Sequence, residues 1–371
     1  MRQIGTAELE DIAAGAAVLG TGGGGDPYVG RLIAAEAINR KAPVSVVDPG
    51  EVPRDALVVP VAVMGAPTVI VEKIPSGDEF TAALTALERS LGARVDYIAC
   101  LEAGGINSMV PMAAAAETGL PVIDADGMGR AFPEIHMVLA TLQGIAATPM
   151  AMADDKGNGT ALTTVDNATA ERLARVVTVE MGCAAFIALF PMRGSQVLDA
   201  MVPGTLSLAE DIGADIRVAR GQHRDPVKAA CAAIGGFQLF TGKIVDIERT
   251  TTGGFARGEA RLEGLDGDSG STLRLLFQNE HLVAVRDGEV VAGVPDLICV
   301  LDSDTGAPVT TEAMRYGFRV SVLGAPCDPR WRSPAGLELV GPRYFGYEHA
   351  FVPVEELASR DNGRPDTRKA G

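Results

Sequence analysis

Residues 20–30, GTGGGGDPYVG, place five glycines among the first six positions, followed by an aspartate and a proline. A bare main chain of this kind supplies positive φ and lets a ligand or a second backbone come close. Asp26 and Pro27 read as the N-cap and first residue of the next helix. The free N–H groups at that helix start face the loop and can hold an anion or a polarised oxygen or sulfur. Gly22, Gly23, Gly24 and Gly25 are therefore candidate ligand-cradling residues. The alternative is that the glycines only let two helices approach. Gly20, Gly22 and Gly25 match GxGxxG in letters. The loop, however, follows a helix rather than a strand and lacks the Lys-Ser/Thr of a phosphate loop, so a nucleotide-binding reading fails on context.

Two further clusters carry acids. In CLEAGGINS (100–108), Glu102 can accept ring N–H groups or act as a base. The Gly104 and Gly105 amides can donate there, and Asn107 either caps the next helix or holds a ligand edge. In DADGMGRAFPEIHM (124–137), Asp124 and Asp126 point the same way if the strand persists. Close acids raise one another's proton affinity, a usual preparation for general acid/base work. Arg130 either pairs with them or anchors a substrate carboxylate bidentately. His136 reads as a core or surface residue. Asp154, Asp155 and Asn158 read as a solvated turn.

Metal and thiol chemistry find less support. Asp266, Gly267, Asp268 and Gly270 lack the spacing of a calcium loop. The four histidines (136, 223, 281, 349) show no HxH or HExxH, and no two of the five cysteines form CxxC. No cofactor is expected, with a divalent metal left open because ligands can converge from afar. Cys100 lies beside Glu102, and Cys299 lies between Asp296 and Asp302. Acidic neighbours raise a thiol's pKa and work against a ready thiolate.

Elements that must position these groups follow from periodicity. Leu9, Ile12, Ala13, Ala16 and Leu19 share one helical face, and Val29, Leu32, Ile33 and Ala37 share another, so the glycine run joins two helices. Strands are expected at 42–49, 55–65, 95–105 and 120–129, with helices at 77–92 and 107–119. That alternation predicts an α/β domain with a mainly parallel sheet over residues 1–165. Ligands of such sheets sit beyond the carboxyl ends of the strands, where EAGG and DADGMGR would fall. From 166 to 371 the reading is a β-rich α+β domain: helical stretches, the strand AAFIALFPM, then antiparallel strands over 238–330 with a hairpin turn at RDGE. The tail from 358 is polar and reads as disordered.

At 371 residues the chain can bury two cores. Its net charge of −16 works against nonspecific binding to nucleic acid or an anionic membrane. No apolar run approaches the roughly 20 residues that span a bilayer. MRQIGTAELED lacks the charged-then-apolar pattern of a signal peptide, so a cytoplasmic location is expected. The apolar, aromatic-poor composition predicts a homo-oligomer of unfixed size.

Taken together, GTGGGGDPYVG, EAGGINS, PVIDADGMGRAFPE, MADDKGNG, GEARLEGLDGD, LRLLFQNEHLVA, VPDLICVLDSDTG and LVGPRYFGYE resemble the S-methyl-thiohydantoin desulfurase-like family. The resemblance runs from residue 5 to residue 355. It implies an N-terminal α/β and a C-terminal β-rich domain. It further implies hydrolytic desulfurisation of a thiohydantoin or S-methyl-thiohydantoin-type ring, releasing sulfide or thiol, in hydantoin- or ergothioneine-type catabolism. Such a reaction needs a base for water and donors for charge gathering on sulfur. On this resemblance the base is Asp124 or Asp126, with Glu102 next. The Gly22–Gly25 amides hold sulfur or carbonyl, Arg130 binds a propionate-like arm, and Asn107 fixes a ring edge. The glycine loop and the acids near residue 125 are expected to share one cleft. Two alternatives accompany this: covalent chemistry at Cys100 or Cys299, and an accessory role beside a hydantoinase/oxoprolinase-type subunit.

Overall fold

The computed structural model describes residues 1–65, 69, 77–252 and 255–362. The first sheet is parallel at its centre, where Val44–Val47, Val122–Asp126, Tyr97–Cys100 and Leu57–Gly65 lie side by side. Val58, Val59, Val61, Ile98 and Ile123 are fully buried, as expected of strands covered on both faces. The sheet then continues antiparallel. Ala184–Ala188 pairs with Leu57–Gly65 and with Met150–Ala153, which in turn pairs with Gly159–Leu162. The segment AAFIALFPM thus adds a strand to the first sheet.

Helices between 167 and 233 also pack into the first core. Leu9–Leu19 packs against Thr205–Gly221. A Cβ on Gly15 would meet Ala209 O at 1.8 Å, and one on Gly213 would meet Asp11 O at 2.0 Å. Only glycine lets the two backbones touch at both crossings. Arg217 closes the pair with a two-pronged contact to Asp11 at 2.8 and 2.7 Å. This clamp fixes the helix from whose C-terminus the glycine loop emerges.

The second sheet has seven antiparallel strands, in the order Glu289–Gly293, Glu280–Arg286, Thr272–Gln278, Phe255–Gly264, Phe237–Thr252, Arg319–Ala325 and Leu297–Asp302. It encloses its own core around Phe240, Ile244, Leu262, Leu275 and Phe277. The RDGE hairpin pairs Arg286 with Glu289 across Asp287 (φ 48°) and Gly288 (φ 91°), the double positive φ that suits strand twist. The fold is therefore an α/β N-terminal domain with a mainly parallel centre, followed by a β-rich domain. Residues 358–362 end a helix over Val354–Asn362, and the rest of the expected disordered tail lies outside the described residues. Among the described residues no helix is long and apolar enough to cross a membrane.

Candidate active site

The glycine loop is where three backbones meet. Gly22, Gly24 and Gly25 have φ of 93°, 71° and 85°, a region that side chains disfavour. A Cβ on Gly24 would lie 2.4 Å from Gly104 Cα, and one on Gly105 would lie 2.5 Å from Gly25 O. The two glycine turns are thus packed back to back. On the other flank the C-terminal sheet arrives: a Cβ on Gly22 would lie 2.7 Å from the His281 ring, and one on Gly23 would lie 2.0 Å from Glu280 Oε1. Backbone hydrogen bonds tie the loop to both sides, Ile106 N to Gly24 O at 2.8 Å, His281 N to Thr21 O at 2.8 Å and Thr311 N to Gly22 O at 2.9 Å. Asp26 caps the following helix by accepting from Tyr28 N and Val29 N. The N–H groups of Gly24 and Gly25 have no partner among the described residues.

Between the two sheets lies a cavity of about 80 Å³, scaled to a small ring rather than to a polymer. Gly23–Gly25 line it together with Glu102 and Asn107, with Arg175 from the helix Asn167–Glu180 that packs on the first core, and with Asn279, Glu280 and Glu312 from the second sheet's side. Glu102 follows the Tyr97–Cys100 strand and is almost wholly buried. The Asn107 side-chain amide donates to it at 2.5 Å, and Asn107 Oδ1 in turn accepts from Val63 N at 2.9 Å. Burial pushes the Glu102 carboxyl up to about 7; the Asn107 bond opposes this and the Asp126 charge adds to it.

Glu280 is brought in by the tight turn at Asn279 (φ 58°), between Thr272–Gln278 and Glu280–Arg286. Among the described residues its Oε2 is buried without a hydrogen-bond partner, as is Glu312 Oε1. Burial raises both carboxyls, Glu280 well above the ordinary range. Among the described residues Arg175 is the cation of the cavity wall. It binds Glu171 at 2.5 Å and Pro133 O at 3.2 Å, and lies 4.1 Å over the Phe255 ring.

The other sequence-predicted groups are employed elsewhere. The strand does persist to Asp126, but neither acid on it lines the cavity. Asp124 Oδ1 accepts from Leu206 N at 2.9 Å and Ser207 N at 3.1 Å, and the Ser207 hydroxyl donates to Oδ2. That helix begins after Gly204, which has no side chain to cap it, so the neighbouring strand supplies the acceptor. Asp126 Oδ1 accepts from Met128 N and Gly129 N, both at 2.6 Å, while Oδ2 is buried and has no partner among the described residues. Burial pushes this carboxyl up to about 7.

Arg130 is fully buried and spends all five N–H groups inside the protein. They go to Ala131 O, Pro295 O, Asp296 O, Thr21 Oγ1 and His281 O at 2.7–3.2 Å. No donor is left for a substrate carboxylate; the side chain bolts the two domains together. Gly104 and Gly105 serve close packing against the glycine loop, and Gly104 N donates to Ser108 Oγ. Cys100 and Cys299 are buried, and burial raises both thiols, Cys299 to about 12. Among the described residues no three His, Cys, Asp or Glu side chains are arranged to hold a metal ion.

Glu280, Glu312, Asn279 and Arg175 escaped the sequence reading. Each sits in a run that reads as ordinary strand, loop or helix. The one local signal is QNE (278–280), three polar residues between apolar strands with an asparagine suited to positive φ.

Fold and cavity define a two-domain protein with an acid-lined pocket at the seam, one wall of which is bare main chain. The chain belongs to the S-Me-THD-like family: residues 7–164 match its N-terminal domain and residues 165–354 its C-terminal domain. It is also similar to a protein from Chromobacterium violaceum whose crystal structure was solved as a structural-genomics target. The two are 25% identical with a TM-score of 0.80, and the match covers 95% of this chain and 100% of that one. No curated protein sequence matches the chain.

Proposed function

We propose that the protein is a hydrolytic desulfurase acting on a small thiohydantoin or S-methyl-thiohydantoin-type ring, within the breakdown of such rings. The observation that carries this reading is Glu102. It is a buried carboxyl held at 2.5 Å by Asn107, in a ring-sized cavity lined also by Gly23–Gly25, and the Gly24 and Gly25 N–H groups have no partner among the described residues. Glu102 takes the proton of a water placed over the C–S carbon, for which a proton affinity near neutrality is the favourable setting. The loop amides stabilise charge gathering on the sulfur or on the opposite carbonyl. Asn107 holds the base in place from the edge of the Leu57–Gly65 strand. We move the base role from Asp124 and Asp126 to Glu102, because neither aspartate lines the cavity, Asp124 holds the start of the Thr205–Gly221 helix and Asp126 Oδ1 holds its own turn.

The test incubates the full chain with 2-thiohydantoin, its S-methyl derivative and hydantoin itself, following sulfide and methanethiol. Release from the sulfur compounds is expected in the wild type. Glu102→Gln is expected to lower it by about 100-fold or more, the usual worth of a general base. Absence of release, or an unaffected variant, would refute the reading.

A further inference from the structure

Hydrolysis of an S-alkyl ring consumes one water, and its two hydrogens end on ring nitrogen and on sulfur. One carboxylate that accepts the first of them cannot also supply the ring nitrogen in the same step. The second domain brings a candidate for that task to the same cavity. Glu280 is 3% exposed, packed against Gly23, with Oε2 buried and without a partner among the described residues.

We propose that Glu280, delivered by the turn at Asn279, is the proton donor opposite Glu102, so that the reactive pair is completed only when the two domains meet. This inference rests on the desulfurase reading. The groups around Glu280 are Glu102 and Glu312, which raise its proton affinity, and Arg130, which lowers it. The adjacent His281 is held neutral, its pKa pushed down to about 3 by burial and by Arg130. Burial dominates, and Glu280 keeps its proton where Glu102 begins to release its own. Two carboxyls driven apart in proton affinity within one site is the usual setting of an acid and a base.

The protons balance. As water oxygen bonds to the ring carbon, Glu102 takes one water proton and Glu280 gives its proton to the ring nitrogen. The carbon then carries hydroxyl and S-alkyl. As the C–S bond breaks, its electron pair leaves on sulfur, which takes the proton from Glu102, while the hydroxyl proton returns to Glu280. Thiol and oxo-ring are released, and both carboxyls regain their starting state.

The test compares S-methyl-2-thiohydantoin with its N1,N3-dimethylated cation, neither nitrogen of which needs a proton. Glu280→Gln is expected to lower turnover of the neutral ring by about 100-fold and of the cation by less than about threefold, whereas Glu102→Gln lowers both. In the wild type, the alkaline fall of kcat/KM is expected with the neutral ring and absent with the cation, a readout that needs no variant. Equal losses on both rings in the Glu280→Gln variant, or identical wild-type pH profiles, would overturn the donor role while leaving the desulfurase reading intact. A wild type that releases thiol from neither ring overturns that reading, and this role with it.

Discussion

Alanine placed at two neighbouring glycines separates the structural from the chemical part of the loop. At Gly24, φ is +71° and the new Cβ would lie 2.4 Å from Gly104 Cα. A left-handed conformation costs an L-residue about 1–2 kcal/mol, and forcing a methyl into packed backbone costs about 1–3 kcal/mol more. Neither turn can withdraw, because Gly105 is pressed on Gly25 and Ile106 N is bonded to Gly24 O. Gly24→Ala should therefore cost about 2–5 kcal/mol of stability.

At Gly23 no positive φ is required, and the Cβ would strike Glu280 Oε1 at 2.0 Å. The clash runs back to Glu280 Cδ and Cγ, both at 2.6 Å, so the whole buried arm must swing aside while the backbone stays. Gly23→Ala should cost about 1–3 kcal/mol, less than Gly24→Ala because no left-handed conformation is forced, and should depress turnover by displacing Glu280. Urea unfolding followed through Trp331, the single tryptophan and fully buried, reads the first quantity; thiol release reads the second. If Gly24→Ala unfolds with the wild type, or Gly23→Ala loses as much stability as Gly24→Ala, the interlocked-turn argument is wrong.

Two further expectations concern the acids of the Val122–Asp126 strand. Burial raises the Asp126 carboxyl from 3.8 to about 7. Its contribution to stability is therefore full below pH 3.8 and fades as pH climbs through 7, by about 4 kcal/mol at the outside. Asp126→Asn keeps an acceptor for Met128 N and Gly129 N and cannot ionise. It should flatten that fall and leave the variant more stable than the wild type at pH 8, measured by urea unfolding across pH. Asp124→Ala removes the cap of the Thr205–Gly221 helix and should cost about 1–2 kcal/mol. Its folded fraction should keep wild-type thiol release, and a 100-fold loss there would restore Asp124 as the base.

Local chemistry was enough to read much of this protein from its sequence. Apolar runs broken by glycine turns fix the parallel strands, because such runs need cover on both faces. Asp287 and Gly288 fix a hairpin, and the spacing of five glycines fixes a loop into which other backbone must come. Glu102 and Asn107 were visible for the same reason, lying on a glycine turn at a strand end.

The carboxylates' division of labour was decided only in three dimensions. Asp124 and Asp126 look better suited to chemistry than Glu280 when spacing is the guide. Yet one is spent on a helix start contributed from beyond residue 204, the other on its own turn, and four of the five donors of Arg130 on groups more than 100 residues away. Proton affinity and hydrogen-bond availability are sums over every neighbour within a few ångströms. For buried groups those neighbours come from remote parts of the chain, and no window of sequence contains them.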